Sequence, residues 1–172
     1  MFPEVANAGM KFLVDSTAGK LCRWLRVLGH DADYVSSAAP GEMLGRARRE
    51  GRRLLTRNRS LGERDPRVAT TIESDHLADQ LRQLGRTYPI LDEAAPFTRC
   101  LVCNGRFESV SRARARNRVP PYVYQTQKAF GYCPRCDRFY WQATHWEAMR
   151  ARLEHIFGPG VPRGRSPEAP GG

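Results

Sequence analysis

The chain has 172 residues, with 28 Lys and Arg against 18 Asp and Glu, which gives a formal net charge of +10 and a pI near 10.0. This basic excess favours a polyanionic partner such as nucleic acid, although abundant Arg, Ala, Gly and Pro are also typical of GC-rich genomes. No apolar run reaches the roughly 18 residues that span a bilayer, and no signal-peptide pattern opens the chain, so we expect a soluble, cytoplasmic protein without membrane association.

The stretch over residues 10–34 predicts a strand, a tight turn and a helix. Residues 12–14 form an apolar run that stops at Asp15, and apolar residues recur at helical spacing over residues 21–28. A near-continuous apolar strand is typical of a central position in a parallel sheet, whose carboxyl edge is where α/β proteins place their chemistry. Asp15 is therefore a candidate catalytic carboxylate or a helix N-cap, and the two roles are compatible.

Strand and helix patterns alternate as far as residue 87, after a leader over residues 1–9 that carries no periodicity and is expected to be disordered. The further elements are strands at residues 31–35, 53–56 and 68–72 and helices at residues 42–51 and 75–85. Alternation of this kind predicts an α/β domain over residues 10–87, with three layers, a central parallel sheet and right-handed crossovers.

Three acidic residues lie at predicted ends of these elements: Asp15 after the first strand, Glu42 at the start of the second helix and Asp75 at the start of the third. Carboxylates that converge at one sheet edge suit Mg²⁺ or Mn²⁺, which activates water for phosphodiester cleavage. The alternative role of each residue is that of a helix cap. Polar residues, including Asn58, also follow the third strand.

Two CxxC hooks carry the strongest chemical signal, and they follow a linker predicted at residues 88–99. Four thiolates in two hooks match a tetrahedral zinc ion, which is structural because no coordination position stays open. The alternative, a pair of redox motifs, is weaker because neither hook follows a strand in a βαβ setting. The predicted zinc ligands are Cys100, Cys103, Cys133 and Cys136.

We expect a zinc ribbon with a C-terminal helix over residues 100–157 and a disordered tail over residues 158–172. Between the hooks, Arg recurs at every second position over residues 112–118, which places the arginines on one side of a strand or spreads them around a helix. Beside aromatic residues, such a run suits single-stranded nucleic acid, and its alternative is a solvated loop. The candidate RNA-binding residues are Lys20, Arg23, Arg57, Arg59, Arg112, Arg114, Arg116 and Arg118.

Several long motifs resemble one family, the Mut-seven C-terminal RNase domain, in which a PIN-like nuclease domain is fused to a zinc ribbon. They are FLVDSTAGKLCRWLRVLGHD, EGRRLLTRNRSL, the two hooks, VPPYVYQT and YWQATHWEAM, and the resemblance covers about residues 10–149. It implies a PIN-like fold, RNA as the substrate class, and a divalent ion held by carboxylates.

By position, the resemblance implies that Asp15 corresponds to the family's acidic residue at the end of the first strand. Asn58 stands where the family's Thr-Arg-Asp motif has its aspartate, and Gly41 stands about where an acidic residue opens the second helix. An amide oxygen carries no negative charge, so Asn58 is expected to hold Mg²⁺ more weakly than aspartate. Glu42 and Asp75 are the candidate replacements.

Three functions follow from these observations. The first is a metal-dependent endoribonuclease whose site is partly degenerate. The second is an RNA- or ribonucleoprotein-binding protein that kept the fold and lost cleavage, and the third is a protein-interaction adaptor that works through its zinc ribbon. The basic charge argues against the adaptor, whereas the substitutions at positions 41 and 58 bear on the choice between the first two.

Overall fold

Four parallel strands form the central sheet of the computed structural model, which describes residues 10–142 and 144–162. Their order is β2-β1-β3-β4, so the apolar strand β1 is flanked on both sides, as its sequence predicts. The strands are β1 (Lys11–Asp15), β2 (Asp31–Val35), β3 (Arg52–Thr56) and β4 (Ala69–Thr71).

Helices cover both faces of this sheet, which confirms the three-layer α/β architecture. They are α1 (Gly19–Val27), α2 (Pro40–Glu50), α3 (Arg59–Arg64) and α4 (Leu77–Thr87). Because side chains alternate along a strand, Phe12 and Val14 are buried with residues of α1 and α4, whereas Leu13 is buried with residues of α2 and α3. None of the described helices is both long and apolar enough to cross a membrane.

The second part of the chain contains a three-stranded antiparallel sheet in the order β5-β6-β7. Its elements are β5 (Glu108–Val110), α5 (Arg112–Ala115), α6 (Pro121–Thr126), β6 (Phe130–Cys133), β7 (Arg138–Tyr140) and α7 (Thr144–Phe157). The arginine run is therefore neither a strand nor one long helix. It begins as the short helix α5 and continues into a turn in which Asn117 has a φ of 62°.

The terminal helix α7 follows the ribbon in sequence but packs on the α/β domain. Its Leu153 and Ile156 are buried in the core formed by α1 and α4, and a Cβ at Gly85 of α4 would lie 3.0 Å from the Phe157 ring. The segments predicted as linker and tail also contribute to this core, through Ile90 and Val161. The predicted leader and residues 163–172 lie outside the described residues.

Asn104 joins the first cysteine hook to the edge of the parallel sheet. Its Oδ1 accepts a hydrogen bond from the backbone N of Ala32 at 3.1 Å, and its Nδ2 donates to Oδ1 of Asp31 at 2.8 Å and of Asp33 at 3.1 Å. The residue is buried and has a φ of 65°, a conformation that Asn tolerates better than most residues. The Asn104 side chain thus forms hydrogen bonds with three polar groups of β2.

Two arginines complete this junction. Arg26 of α1 donates to the backbone oxygen of Ala32 and to the oxygens of the hook residues 101 and 102 at 2.8 to 3.0 Å. Arg52 pairs with Asp31 at 2.6 Å. Burial raises the pKa of Asp31, but hydrogen bonds from Arg52 and Asn104 outweigh burial and leave the pKa below its ordinary value.

We expect the Asn104→Ala substitution to lower the free energy of unfolding by about 1 to 3 kcal/mol, because it leaves the buried backbone N–H of Ala32 without its partner and removes one hydrogen bond each from Asp31 and Asp33. Urea unfolding followed by circular dichroism measures the loss. Asn117→Ala is the matched control, since Asn117 also has a positive φ but is exposed. Equal losses in the two variants would trace the effect to backbone strain and contradict the role of the Asn104 side chain.

Candidate functional site

Asp15 lies at the carboxyl end of the central strand and is only 4% exposed. Its Oδ1 accepts hydrogen bonds from the backbone N of Thr17, at 2.9 Å, and from the Thr17 hydroxyl, while its Oδ2 accepts one from the Thr56 hydroxyl. Asp15 therefore caps the turn over Ser16–Ala18, and it also ties β1 to β3. A carboxylate has about four lone-pair positions, and the described residues donate to three of them, two on Oδ1 and one on Oδ2.

The backbone just after β3 donates to the two threonine hydroxyls that bond Asp15. The backbone N of Arg57 donates to the Thr17 hydroxyl at 2.8 Å, and the backbone N of Asn58 donates to the Thr56 hydroxyl at 3.0 Å. The Asn58 side chain caps α3 through its Oδ1, which accepts from the backbone N of Leu61 at 3.2 Å. This cap accounts for α3, a helix that the sequence patterns did not predict.

The other predicted acidic residues lie at the surface. Glu42 is exposed in the first turn of α2, and Asp75 is exposed just before α4, with its Oδ1 3.5 Å from Nε2 of His76. Space is open at Gly41, where a Cβ would meet nothing within 4 Å. Among the described residues, no three His, Cys, Asp or Glu residues other than the hook cysteines bring their ligating atoms within 4.8 Å of one another. The catalytic roles of Asp15, Glu42, Asn58 and Asp75 stay predictions.

A cleft of about 390 Å³ opens at this carboxyl edge. Its walls come from the turn after β1, from Arg57 after β3, and from Asp75 with the start of α4, and they include the predicted RNA-binding residue Lys20. Lys20 and Arg57 are exposed and make no ion pair with a carboxylate of the described residues. Of the other predicted contacts in this domain, Arg59 lies 3.7 Å from Glu73, and Arg23 lines a separate groove.

The arginines of the ribbon lie against its own aromatic rings. The guanidinium carbons of Arg112, Arg114 and Arg118 are 4.5, 4.3 and 5.3 Å from the ring centroids of Tyr124, Tyr132 and Phe139, respectively. Such cation–π contacts stabilise the ribbon and leave the charges at the surface, since these arginines are exposed. Arg116 is exposed as well. Their use in RNA binding stays a prediction.

The four hook cysteines come together in a geometry that fits zinc. Their Sγ atoms all lie within 4.8 Å of one another, and the pairs Cys100–Cys136 and Cys103–Cys133 are 3.9 and 3.4 Å apart. A tetrahedral ion with Zn–S bonds of about 2.3 Å requires sulfurs about 3.8 Å apart. The predicted ligand set is therefore assembled, and four thiolates would fill the coordination shell of a structural ion.

The pKa values of these thiols also bear on metal binding. Burial raises the pKa of Cys100, but hydrogen bonds from the Tyr140 hydroxyl and from neighbouring groups outweigh burial and hold its pKa at about 7. The bond shared with Cys103, together with burial and the charge on Cys100, raises the pKa of Cys136 to about 12. A bound cation would favour the thiolate form of all four cysteines, because ligation requires deprotonated sulfur.

The fold and the cysteine cluster together define a class of protein, a PIN-like α/β domain with a zinc ribbon. The Mut7-C RNAse domain family model matches residues 10–153, most of the chain. The chain belongs to this family, as its motifs predicted, and membership indicates a function connected with RNA. No curated protein and no solved structure gives a significant match to the chain.

We expect the purified protein to contain one zinc ion per chain, measured by inductively coupled plasma mass spectrometry. The double variant Cys100→Ser and Cys133→Ser should lose the ion and unfold its ribbon, because metal binding contributes about 10 kcal/mol or more to the folding of such small sites. Cys22→Ala, at a buried cysteine outside the hooks, is the control and should keep the ion. Retention of zinc by the double variant would contradict the ligand assignment.

Proposed function

We propose that this protein binds RNA by holding the phosphate backbone in the cleft beside Asp15. The observation that carries the proposal is the pair of basic side chains, Lys20 and Arg57, that line this cleft without a carboxylate partner among the described residues. Lys and Arg supply most phosphate contacts in complexes with nucleic acid, and the release of counterions drives such binding. The net charge of +10 supports the same partner.

Neutral groups of the cleft suit phosphate as well. Ser16 is exposed there, and a serine hydroxyl is a common phosphate contact. The first turn of α1, a helix of nine residues, forms part of the same wall through Gly19 and Lys20. Backbone N–H groups at such a helix end have no partner within the helix and favour an anion.

Cleavage by a metal-dependent endoribonuclease is the second candidate, and it is favoured by the acidic residues on the same edge. Asp15 keeps one lone-pair position, and Asp75 lines the cleft. Mg²⁺ in phosphate sites is commonly held by one or two carboxylates together with the phosphates of the substrate, so a larger carboxylate set is not required. A cation held there supplies water activation and charge neutralisation. The neutral Asn58 and Gly41 are expected to weaken its binding.

For binding, we expect the affinity for a fluorescent single-stranded RNA to fall steeply with salt, as measured by anisotropy. Lys20→Gln and Arg57→Gln should each reduce the slope of log affinity against log salt by about 0.7, the value for one phosphate contact on a single strand. Arg86→Gln removes the same charge from an exposed position on α4 and is the control. A flat salt dependence of the unmodified protein would contradict the proposal and favour the adaptor.

For cleavage, we expect Asn58→Asp to increase the Mn²⁺-dependent cutting of RNA, because it restores a negative ligand at the end of β3. Asp15→Ala should lower any activity at least about 100-fold, the scale of several kcal/mol of charge stabilisation. Asp15→Asn, with thermal unfolding measured in parallel, separates lost chemistry from lost structure. If neither the unmodified chain nor Asn58→Asp cuts RNA, the second candidate fails and RNA binding alone remains.

A further inference from the structure

A second groove, of about 540 Å³, separates the α/β domain from the first cysteine hook. Arg23 of α1 and Tyr34 of β2 form one side, and the hook residues Leu101 and Val102 form the other. Tyr34 is 45% exposed and Val102 is 60% exposed, which makes them two of the most exposed large hydrophobic side chains in the described part of the chain. A tyrosine ring open to solvent inside a groove offers a surface on which a planar group stacks.

The orientation of Tyr34 is fixed by its neighbour on α1. A Cβ at Gly19 would lie 3.2 Å from Cε2 of the Tyr34 ring, so the ring is packed closely against the start of the helix. Gly19 also lines the cleft that contains Lys20 and Arg57. Gly19 therefore borders both the groove and the cleft.

The charge of this groove favours an anionic ligand. Arg23 is exposed and makes no ion pair with a carboxylate of the described residues. The carboxylate of Asp33 also borders the groove, but Arg46 lies 2.7 Å from its Oδ2, and Asn104 donates to its Oδ1. With Asp33 paired in this way, the cationic side chains that line the groove are the exposed Arg23 and the nearly buried Arg26.

We propose that this groove is a base-binding subsite for single-stranded RNA, in which a base stacks on Tyr34 and an adjacent phosphate contacts Arg23. The inference rests on the proposed function, because the strand continues past Gly19 into the cleft that holds its phosphates. Stacking on an aromatic side chain requires an unpaired base, so the subsite selects single strands over duplexes. Since the zinc-bound hook forms one wall, the subsite also gives the ribbon a direct part in binding.

The test compares a single-stranded RNA with a duplex of the same length in an anisotropy titration of the full chain at low salt. Tyr34→Ala is expected to lower the affinity for the single strand at least about fivefold, the lower range for the loss of one stacked base, and to leave the duplex unaffected. Tyr34→Phe keeps an aromatic ring and should bind the single strand about as tightly as the unmodified protein. Arg23→Gln should lower the affinity for the single strand and its salt slope, compared with Arg86→Gln.

Two results would overturn the subsite. One is an unchanged affinity of Tyr34→Ala or Arg23→Gln for the single strand, and the other is an equal loss for single strand and duplex. If Lys20→Gln still weakens binding in those cases, the cleft keeps its proposed function and only the subsite fails. If the unmodified protein binds neither the single strand nor the duplex, both proposals fail. Arg23 is an exposed side chain, so Arg23→Gln keeps the test valid even if Tyr34→Ala is unstable.

Discussion

The side chain of Asn104 connects the two parts of the molecule, and the groove beside Tyr34 lies at this connection. It accepts a hydrogen bond from the backbone N of Ala32 and donates to the carboxylates of Asp31 and Asp33, all on the edge strand β2. An unpaired backbone group on an edge strand would otherwise face solvent or another chain. Asn104 directly follows Cys103, one of the four clustered cysteines that could hold a metal ion, so its position depends on the hook. Through Asn104 and Arg26, the hook is joined to the sheet and forms the wall opposite Tyr34.

The sequence predicted the elements that are specified by residues close together in the chain. The apolar run of β1, the helical spacing of α1 and the two CxxC hooks each specify their own geometry, and the structure contains all of them. The short helix α3 was missed because it is stabilised by the Asn58 cap and not by an apolar period. The partners of Asn104 on β2 are 71 to 73 residues away in the chain, a separation across which no pattern of composition or spacing indicates a contact.

Asp15 shows how far the sequence could predict the candidate site. Its position after an apolar strand indicated either a cap or a carboxylate at the functional edge, and the structure shows the cap together with a bond to Thr56 of β3. These bonds hold the carboxylate in one orientation and leave one lone-pair position. The Thr17 hydroxyl comes from the turn that directly follows Asp15, whereas the Thr56 hydroxyl comes from β3, and its approach is set by the pairing of β1 with β3 and not by the local sequence.

Positions 41 and 58, where the family resemblance implies acidic residues, are neutral in this chain, which leaves less negative charge at the carboxyl edge of the sheet. In a site with several carboxylates, a cation must first neutralise the protein before the phosphate backbone can approach. Here Asp15 is almost buried and already accepts three hydrogen bonds, while Lys20 and Arg57 face the cleft. If the cleft binds RNA as proposed, these positive side chains attract phosphate without a cation, and RNA affinity and metal-dependent cleavage are then separable properties of one edge of the sheet.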